Sequence, residues 1–260
     1  MPRVVVITGA SSGIGAALAL HYADEDVRLG LVGRNALRLT RVADACRRLG
    51  AEVETETIDV RHRPEIGAWL AAFDDAHPVD LLIANAGVMA GRPTEGMLEP
   101  ADMGHALIET NVLGTLNTVQ PLLPRMTARG SGQIAIVSSI AAFIPLPDAP
   151  SYGASKAATL NYGLALRGLL DVRGIKVNVI CPGYVRTPMM EQESGPKPGA
   201  VDPAAAARLI ARGLERNKPV ITFPFLFSLM TRIGGLLPDR LRRLTQEPYR
   251  FAVAPRRADD

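Results

Sequence analysis

Residues 4–15 read VVVITGASSGIG, an apolar run that leads directly into a glycine-rich turn and the start of a helical pattern. Gly9, Gly13 and Gly15 would let the main chain approach a pyrophosphate, and the helix N-terminus that follows offers free N–H groups and a favourable dipole. Their spacing, G-x-x-x-G-x-G, differs from the commoner G-x-G-x-x-G. Glycines also cluster in purely structural turns, but their position at the first strand–helix junction favours a dinucleotide site.

Short apolar runs alternate with helical patterns along most of the chain. The runs are VVVITG, VRLGLVG, AEVETETIDV, DLLIANAG, QIAIVSS, KVNVI and PVITF. Such alternation is typical of βαβ units, and strands that are apolar on both faces need helices on each side of the sheet. We expect an α/β fold with a doubly wound, Rossmann-type parallel sheet flanked by helices, in a single domain over residues 1–260.

The second half of the chain continues this pattern. We expect a long helix from about Asn111, another from about Tyr152 to Arg173, and a third that opens at Asp202, where an N-cap residue precedes a proline. The polar stretch EQESGPKPG, residues 191–199, is expected to form a mobile loop.

Bulk composition indicates an ordinary folded domain. Of the 260 residues, 47% are hydrophobic and 21% are charged, which suffices for a buried core and excludes the profile of a disordered chain. The net charge of +3 is small and the arginines are not interleaved with aromatics, so no nucleic-acid partner is expected. The first residues, MPRVVVITGA, lack the features of a secretory signal, and we expect a cytoplasmic protein.

Cysteine and histidine usage indicates neither a disulfide framework nor a metal centre. The two cysteines, Cys46 and Cys181, fall in separate predicted elements and are expected to be buried thiols. The four histidines show no paired spacing such as H-E-x-x-H, so no metal is expected.

The end of the second strand decides which dinucleotide fits. An acidic residue there would bond the adenosine ribose hydroxyls, whereas a basic residue accommodates a 2′-phosphate. Gly33 stands where the acid would favour NAD, Arg34 follows it, and Ser12 could add a hydroxyl contact. This pattern favours NADP(H) as the cofactor over NAD(H), although a surface arginine at a helix start would give the same pattern.

Ser139, Tyr152 and Lys156 have a spacing that suits carbonyl–alcohol chemistry. Residues four apart on a helix share one face, so the Lys156 ammonium is expected near the Tyr152 phenol, where it would lower the phenol pKa from about 10 toward the working pH. Ser139 follows a central strand and could polarise a substrate oxygen by hydrogen bonding. Proton transfer at the oxygen would then accompany hydride transfer at the carbon.

These motifs occur together in an order that resembles the short-chain dehydrogenase/reductase family, in its single-domain form, over residues 3 to about 223. The matching stretches are TGASSGIG at 8–15, Asp59 in IDV, ANAG at 84–87, Asn111 in ETNVLGT, Ser139, YGASK at 152–156 and PGYVRTP at 182–188. Two positions depart from the family pattern: Ala84 begins a stretch that is usually NNAG, and Ala142 stands where a glycine is common. The second departure suggests a differently shaped substrate loop.

The resemblance implies catalytic roles for four residues. Tyr152 would be the general acid or base, Lys156 would lower its pKa and bind the nicotinamide ribose, and Ser139 would hold the substrate oxygen. Asn111 would support a water-linked proton relay.

The resemblance also implies a set of cofactor-binding residues. They are Gly9, Ser11, Ser12, Gly13, Ile14, Gly15, Arg34, Asp59, Val60, Asn85, Ala86, Gly87, Tyr152, Lys156, Pro182, Gly183, Val185 and Thr187. Asp59 and Val60 would flank the adenine, Asn85 would also help to fix the central strand, and Thr187 would reach the nicotinamide carboxamide.

Residues 219–260 form an apolar and then basic carboxyl-terminal segment. No charge occurs from Pro219 to Thr231, and this run is too short to span a bilayer, which takes about 20 apolar residues. We favour a lid over the substrate cleft that packs on the body or on another subunit. Docking to a membrane surface and a separate oligomer contact are the alternatives.

Apolar residues near the expected site indicate a hydrophobic ketone or secondary alcohol, such as a lipid, steroid-like or aromatic compound. They are Phe143, Ile144, Pro145, Leu146, Phe223, Phe225, Leu226 and Phe227. The whole pattern predicts an NADP(H)-dependent oxidoreductase that interconverts a ketone or aldehyde and an alcohol. The resemblance further implies a homo-oligomer, a dimer or a tetramer.

Three other functions fit parts of the pattern. A cofactor-binding regulator without catalysis could use the same fold, but it would be free to lose one of the four catalytic residues. An NAD-dependent alcohol dehydrogenase differs only in the cofactor. An epimerase or dehydratase related to the extended family members is disfavoured, because the short carboxyl-terminal region leaves little room for a separate substrate domain.

Overall fold

The computed structural model describes residues 2–94, 96–247 and 250–254. Its strands are β1 (Val4–Thr8), β2 (Arg28–Val32), β3 (Glu52–Glu56), β4 (Leu81–Ala84), β5 (Gly132–Val137), β6 (Ile175–Pro182) and β7 (Val220–Phe223). They form one sheet in the order β3-β2-β1-β4-β5-β6-β7, and every neighbouring pair is parallel. The seven predicted strands and the parallel sheet are confirmed.

Helices connect the strands and cover both faces of the sheet. They are α1 (Gly13–Tyr22), α2 (Ala36–Arg48), α3 (Arg63–Ala76), α4 (Ala101–Leu107), α5 (Gly114–Val119), α6 (Leu123–Arg129), α7 (Pro150–Leu170), α8 (Pro188–Glu191), α9 (Pro203–Glu215), α10 (Phe225–Leu236) and α11 (Asp239–Gln246). A π-helical turn, Ile108–Leu113, joins α4 to α5, and a 3₁₀ turn, Ile140–Phe143, follows β5.

Alternate side chains of each central strand enter different layers of the core. On β1, Val5 and Ile7 pack with Leu18 of α1 and Ile210 of α9, whereas Val6 packs with side chains of α3 and α7 on the opposite face. Burying one such side chain completely stabilises the fold by about 1.5–3 kcal/mol. Because both faces need cover, the central strands are largely apolar, as the doubly wound prediction requires, whereas the edge strand β3 reads EVETE and is mostly exposed.

One helix prediction needs correction at its N-terminus. The helix expected from about Asn111 begins ten residues earlier, at Ala101, and Asn111 itself lies in the π-helical turn. The helix expected from about Tyr152 to Arg173 is α7, Pro150–Leu170, which continues as a 3₁₀ turn, Asp171–Arg173. Asp202 does precede α9, but its side chain makes no capping hydrogen bond; its carboxylate instead pairs with Arg186 at 2.9 Å.

The segment 191–199, expected to be a mobile loop, is tied to the end of the chain. Glu193 and Val253 form an antiparallel bridge, and the main-chain N–H of Ser194 donates to the oxygen of Ala252 at 2.8 Å. These partners lie about 60 residues away in sequence, beyond the reach of any local pattern, and the mobility of the segment stays a prediction.

The carboxyl-terminal segment, residues 219–260, begins with β7 and continues as α10 and α11. Gly235 of α10 lies against the main-chain oxygen of Phe143, so this helix packs closely on the 3₁₀ turn. Residues 255–260 lie outside the described residues. None of the helices in the described ranges is long and apolar enough to cross a membrane.

Candidate active site

The carboxyl ends of the central strands open into a cavity of about 550 Å³. The sheet order places β1 beside β4, so the winding of the chain reverses direction between these strands. In open α/β sheets, ligands bind in the crevice at such a switch point. The loops that follow β1, β2, β4, β5 and β6 all contribute lining residues.

The loop after β1 is shaped by its three glycines. Gly9 and Gly13 adopt φ values of 67° and 57°, which side-chain-bearing residues rarely adopt. A Cβ on Gly15 would overlap the main-chain oxygen of Gly9. Asn85 braces the loop from β4, because its side-chain amide donates to the oxygens of Thr8 at 2.9 Å and Gly9 at 3.2 Å. The loop is therefore held open with bare main chain facing the cavity.

Basic residues surround the end of β2. Arg34 lines the cavity with its side chain 40% exposed, and its guanidinium lies 3.8 Å from the Asp59 carboxylate. Asp59 is bound more closely by Arg61, whose Nη2 lies 2.8 Å away. Arg38 lies four residues beyond Arg34, in the first turn of α2, and lines the same wall of the cavity. Because Arg61 already neutralises Asp59, the positive charge of Arg34 remains largely available to a ligand.

At the other end of the cavity, α7 carries Tyr152 and Lys156 on one face. The Lys156 Nζ lies 5.7 Å from the centre of the Tyr152 ring and donates to the main-chain oxygen of Val137 at 3.2 Å. Ser139 begins the 3₁₀ turn, where its Oγ accepts from the N–H of Ala141 at 3.1 Å, and its hydroxyl is also hydrogen-bonded to the Tyr152 phenol. The three predicted side chains are therefore brought together.

The expected lowering of the Tyr152 pKa is wrong for this structure. Burial raises the pKa of Tyr152 to about 12, although the hydrogen bond with Ser139 opposes the rise. Burial also lowers the pKa of Lys156 to about 8, since the ammonium loses hydration. Spacing placed the two groups on one face but could not reveal that both are desolvated, and desolvation outweighs their mutual influence here.

Asn111 lies behind the cavity wall. Its Oδ1 accepts from the N–H of Val88 at 2.8 Å, and its Nδ2 donates to the Val88 oxygen at 2.9 Å and to the Ser155 hydroxyl at 3.0 Å. A Cβ on Gly87 would lie 3.2 Å from Asn111 Oδ1 and 3.5 Å from Lys156 Nζ. The side chain of Asn111 thus joins the loop after β4 to α7 and fixes the wall beside Lys156.

Most of the predicted cofactor-binding residues line this cavity. They are Gly9, Ser11, Ser12, Gly13, Ile14, Arg34, Asp59, Val60, Asn85, Ala86, Gly87, Tyr152, Lys156, Pro182, Gly183, Val185 and Thr187. Gly15 is a packing residue behind the loop. Thr187 begins α8, where its hydroxyl accepts from the N–H of Met190 at 3.4 Å.

The apolar residues expected to shape the substrate pocket divide into three groups. Ile144, Leu146 and Phe227 line the cavity. Phe225 and Leu226 are 74% and 68% exposed, so the expectation is wrong for them. The reason is that successive residues of α10 are 100° apart, and Phe227 occupies its cavity face. Three other residues of the expected set are not among the cavity-lining residues: Phe143, Pro145 and Phe223.

Sequence reasoning missed several lining residues. Arg38 could have been found from its helical spacing to Arg34. Tyr184 lies within the matched stretch PGYVRTP. Glu193 was assigned to a loop, and Arg250 lies far away in sequence. The last two reach the cavity only through tertiary contacts.

Comparison with known proteins agrees with this architecture. The family model for short chain dehydrogenase matches residues 3–197. An uncharacterized oxidoreductase of Myxococcus xanthus is 33% identical over 92% of this chain and 94% of its own length. The chain belongs to the short-chain dehydrogenase/reductase family. It is accordingly an oxidoreductase that acts on an alcohol or a ketone with a nicotinamide cofactor.

Two solved structures carry different cofactors. A short-chain dehydrogenase from Sphingobium yanoikuyae in complex with NADPH matches with a TM-score of 0.77 and 25% identity, over 91% of this chain and 97% of that protein. A short-chain dehydrogenase from Mycobacterium paratuberculosis bound to NAD matches with a TM-score of 0.74 and 25% identity, over 85% and 94%. The family resemblance alone therefore leaves the choice of dinucleotide open.

Proposed function

We propose that this protein is an NADP(H)-dependent oxidoreductase that interconverts a hydrophobic ketone or aldehyde and the corresponding alcohol. One observation carries the proposal: a single cavity joins the glycine loop and Arg34 at one end to Ser139, Tyr152 and Lys156 at the other. A long cofactor and a carbonyl compound can therefore meet at the phenol.

The residues present fit a dinucleotide. The main chain at Gly9 and Gly13 is uncovered, and a Cβ at Gly13 would come within 3.2 Å of the Thr187 methyl group, so added bulk would narrow the cradle. The N-terminus of α1 directly follows the loop and favours a pyrophosphate. Lys156 and Thr187 would hold the nicotinamide end. When bound, the nicotinamide supplies or accepts the hydride.

Tyr152 moves the proton in this proposal. Its high pKa keeps the phenol protonated at neutral pH, so in the reducing direction it can donate to the substrate oxygen. Ser139 is hydrogen-bonded to the same phenol and can bind that oxygen as its negative charge develops. Lys156 keeps a positive charge below about pH 8, which favours the phenolate left behind. Asn111 positions the wall on which Lys156 lies.

Arg34 and Arg38 support the NADP(H) preference. Arg34, just before α2, and Arg38, in its first turn, both line the cavity. Two guanidinium groups there suit the 2′-phosphate of NADP(H), because guanidinium binds phosphate through paired N–H donors. Gly33 supplies no carboxylate to bind a free 2′-hydroxyl. NAD(H) is the alternative, because Asp59 lies in the same region of the cavity.

The cavity surface supports an apolar substrate. Beyond Ser139 and Tyr152 it is lined by Ile144, Leu146, Met190 and other apolar side chains. Residues 219–260 act as a lid in this proposal, because α10 carries Phe227 and Met230 into the lining.

The outer face of α10 suggests a homo-oligomer. Phe225, Leu226 and Leu236 are each more than half exposed on this helix and are not among the cavity-lining residues. Exposed apolar surface of this kind usually marks an interface. A membrane surface is the less favoured alternative. Sedimentation velocity would report a dimer or tetramer that Leu226→Glu dissociates, whereas co-sedimentation of the monomer with anionic liposomes would favour the alternative.

A panel of ketones and alcohols, assayed with NADPH and NADH and read by nicotinamide absorbance, tests the proposed function. Turnover of neutral apolar ketones with NADPH preferred over NADH is expected. Turnover only of small charged carbonyl compounds would contradict the substrate class, and equal or better efficiency with NADH would contradict the cofactor preference.

A further inference from the structure

An acidic side chain with no role in the proposed proton transfer lies in the substrate end of the cavity. Glu193, two residues beyond α8, is only 7% exposed and lines the cavity. Met189, Met190 and Phe227 line the same region. A carboxylate among apolar groups costs free energy unless hydrogen bonds or charges compensate it.

The nearby polar groups compensate Glu193 only in part. The Tyr184 hydroxyl is hydrogen-bonded to the carboxyl group, and the Lys197 charge favours its ionised form. The Lys197 ammonium, however, donates to the main-chain oxygen of Glu193 at 2.7 Å. Arg250 also lines the cavity, but its guanidinium is bound to the buried Asp148 carboxylate at 2.9 Å. Glu193 therefore retains capacity for a ligand.

The titration of Glu193 agrees with this position. Burial raises the pKa of Glu193 to about 7, while Tyr184 and Lys197 act in the opposite direction. The negative charge of Glu193 in turn contributes to the raised pKa of Tyr152. Glu193 and Tyr152 both line the cavity, so one bound molecule can contact the carboxylate and the reacting phenol.

The main chain around Glu193 is fixed. Besides the bridge to Val253, the N–H of Glu193 donates to the oxygen of Met190 at 3.2 Å, and the N–H of Ala254 donates to the oxygen of Gln192 at 2.7 Å. A group held in this way can recognise a ligand without losing further conformational freedom.

We propose that Glu193 determines substrate specificity: its carboxylate accepts a hydrogen bond from a hydroxyl or ammonium group that the substrate carries away from its reacting carbon, and it repels a carboxylate at that position. The favoured substrate class is thus an apolar ketone or alcohol with a distal hydrogen-bond donor. This inference rests on the proposed function, because it concerns the second end of the same substrate.

The proposal predicts that the effect of pH on kcat/KM differs between anionic and neutral substrates. Below about pH 7 Glu193 is protonated and tolerates an anionic substrate; above it the ionised carboxylate repels one. The other ionisable groups facing this region are Tyr152, Tyr184, Lys197 and the Arg250–Asp148 pair. Lys156 loses its charge only above about pH 8, so the selective loss of anionic substrates around pH 7 is assigned to Glu193.

The test uses methyl ketones of increasing chain length that end in a methyl, a hydroxyl or a carboxylate group, reduced with NADPH. At the chain length that gives the highest activity, we expect kcat/KM for the hydroxyl compound to be about 10- to 100-fold higher than for the methyl compound. This is the effect of a charge-assisted hydrogen bond. For the carboxylate compound, kcat/KM should fall by about tenfold per pH unit above about pH 7, relative to the methyl compound.

Glu193→Gln keeps the shape of the side chain and removes its charge. This variant should lose most of the hydroxyl preference and abolish the extra pH dependence of the carboxylate compound. Glu191→Gln is the matched control, since Glu191 is exposed, lies two residues away and is not among the cavity-lining residues. It should behave like the unmodified protein.

Thermal shifts of the NADPH complex with the corresponding alcohols provide a readout that needs no turnover. If no ketone is reduced, the proposed function fails, and the alcohol series still decides whether Glu193 prefers a donor. If ketones are reduced but Glu193→Gln changes neither the hydroxyl preference nor the pH profile of the carboxylate compound, the inference about Glu193 is overturned while the proposed function stands.

Discussion

Replacing Arg34 by alanine measures how the chain distinguishes NADPH from NADH. Arg34 lines the cavity at the end of β2, and its side chain is 40% exposed. The only difference between the two cofactors is the 2′-phosphate, so Arg34→Ala should weaken NADPH binding and leave NADH binding nearly unchanged.

The expected magnitude follows from the surroundings of Arg34. A hydrogen bond between charged groups contributes about 1.5–3 kcal/mol, and solvent exposure reduces the contribution. The Asp59 carboxylate lies 3.8 Å from the Arg34 guanidinium, and its closer partner is Arg61. Asp59 therefore competes only weakly with a phosphate for Arg34. We therefore expect a loss of about 1–2 kcal/mol, which corresponds to about a 5- to 30-fold higher Kd for NADPH.

The assay is a fluorescence titration of each reduced cofactor at two salt concentrations. The loss for NADPH should shrink at high salt, because ions screen an exposed charge. Arg41→Ala is the matched control, since Arg41 is exposed on α2, the helix that follows Arg34, but is not among the cavity-lining residues. If Arg34→Ala loses equal affinity for NADPH and NADH, or loses affinity for neither, the assignment of Arg34 to the 2′-phosphate is refuted.

Three further outcomes are expected. Gly15→Ala should abolish NADPH binding in a titration, because its Cβ would overlap the glycine loop. Gly168→Ala is the control and should not weaken binding, since no atom lies within 4 Å of the added Cβ. Tight NADPH binding by Gly15→Ala would contradict the packing described. In urea unfolding, Asp148→Asn should lower the free energy of unfolding by about 3 kcal/mol, because it leaves the buried Arg92 guanidinium without its carboxylate partner. Asp239→Asn, at an exposed site, is the control, and similar midpoints for the two variants would refute this. For reduction of a neutral ketone, kcat/KM should decline as pH rises above about 8, because Lys156 loses its charge there. A kcat/KM that rises through this range would contradict the role of the Lys156 ammonium.

The periodicity of the sequence was sufficient to predict the sheet. The central strands are largely apolar, such as VVVIT at 4–8, because parallel strands covered on both faces need apolar side chains. The edge strand β3, EVETE at 52–56, is mostly charged and exposed. The start of the helical region before Asn111 was missed, because its first residues, ADMGHAL, lack a clear apolar face. A π-helical turn also has no reliable pattern of its own, since it shifts the hydrogen bonding by one residue.

The candidate site was predictable where its residues lie within short motifs. The glycine loop and the Tyr152–Lys156 pair have fixed spacings, and the structure brings them to one cavity. Glu193 and Arg250 were not predictable, because they reach the cavity through pairing between residues 193–194 and 252–253 and through Asp148. The Tyr152 pKa also depends on burial, which spacing does not reveal.

The proposal that Tyr152 transfers the proton is tested most directly by single-turnover reduction of an accepted ketone by Tyr152→Phe with bound NADPH. The rate should fall by about 100- to 10,000-fold, as expected when a general acid is removed, while the Kd for NADPH changes little. Tyr162→Phe, a half-buried tyrosine on the same helix, is the control and should keep its rate. A Tyr152→Phe protein that retains most of its single-turnover rate would contradict the proposed mechanism.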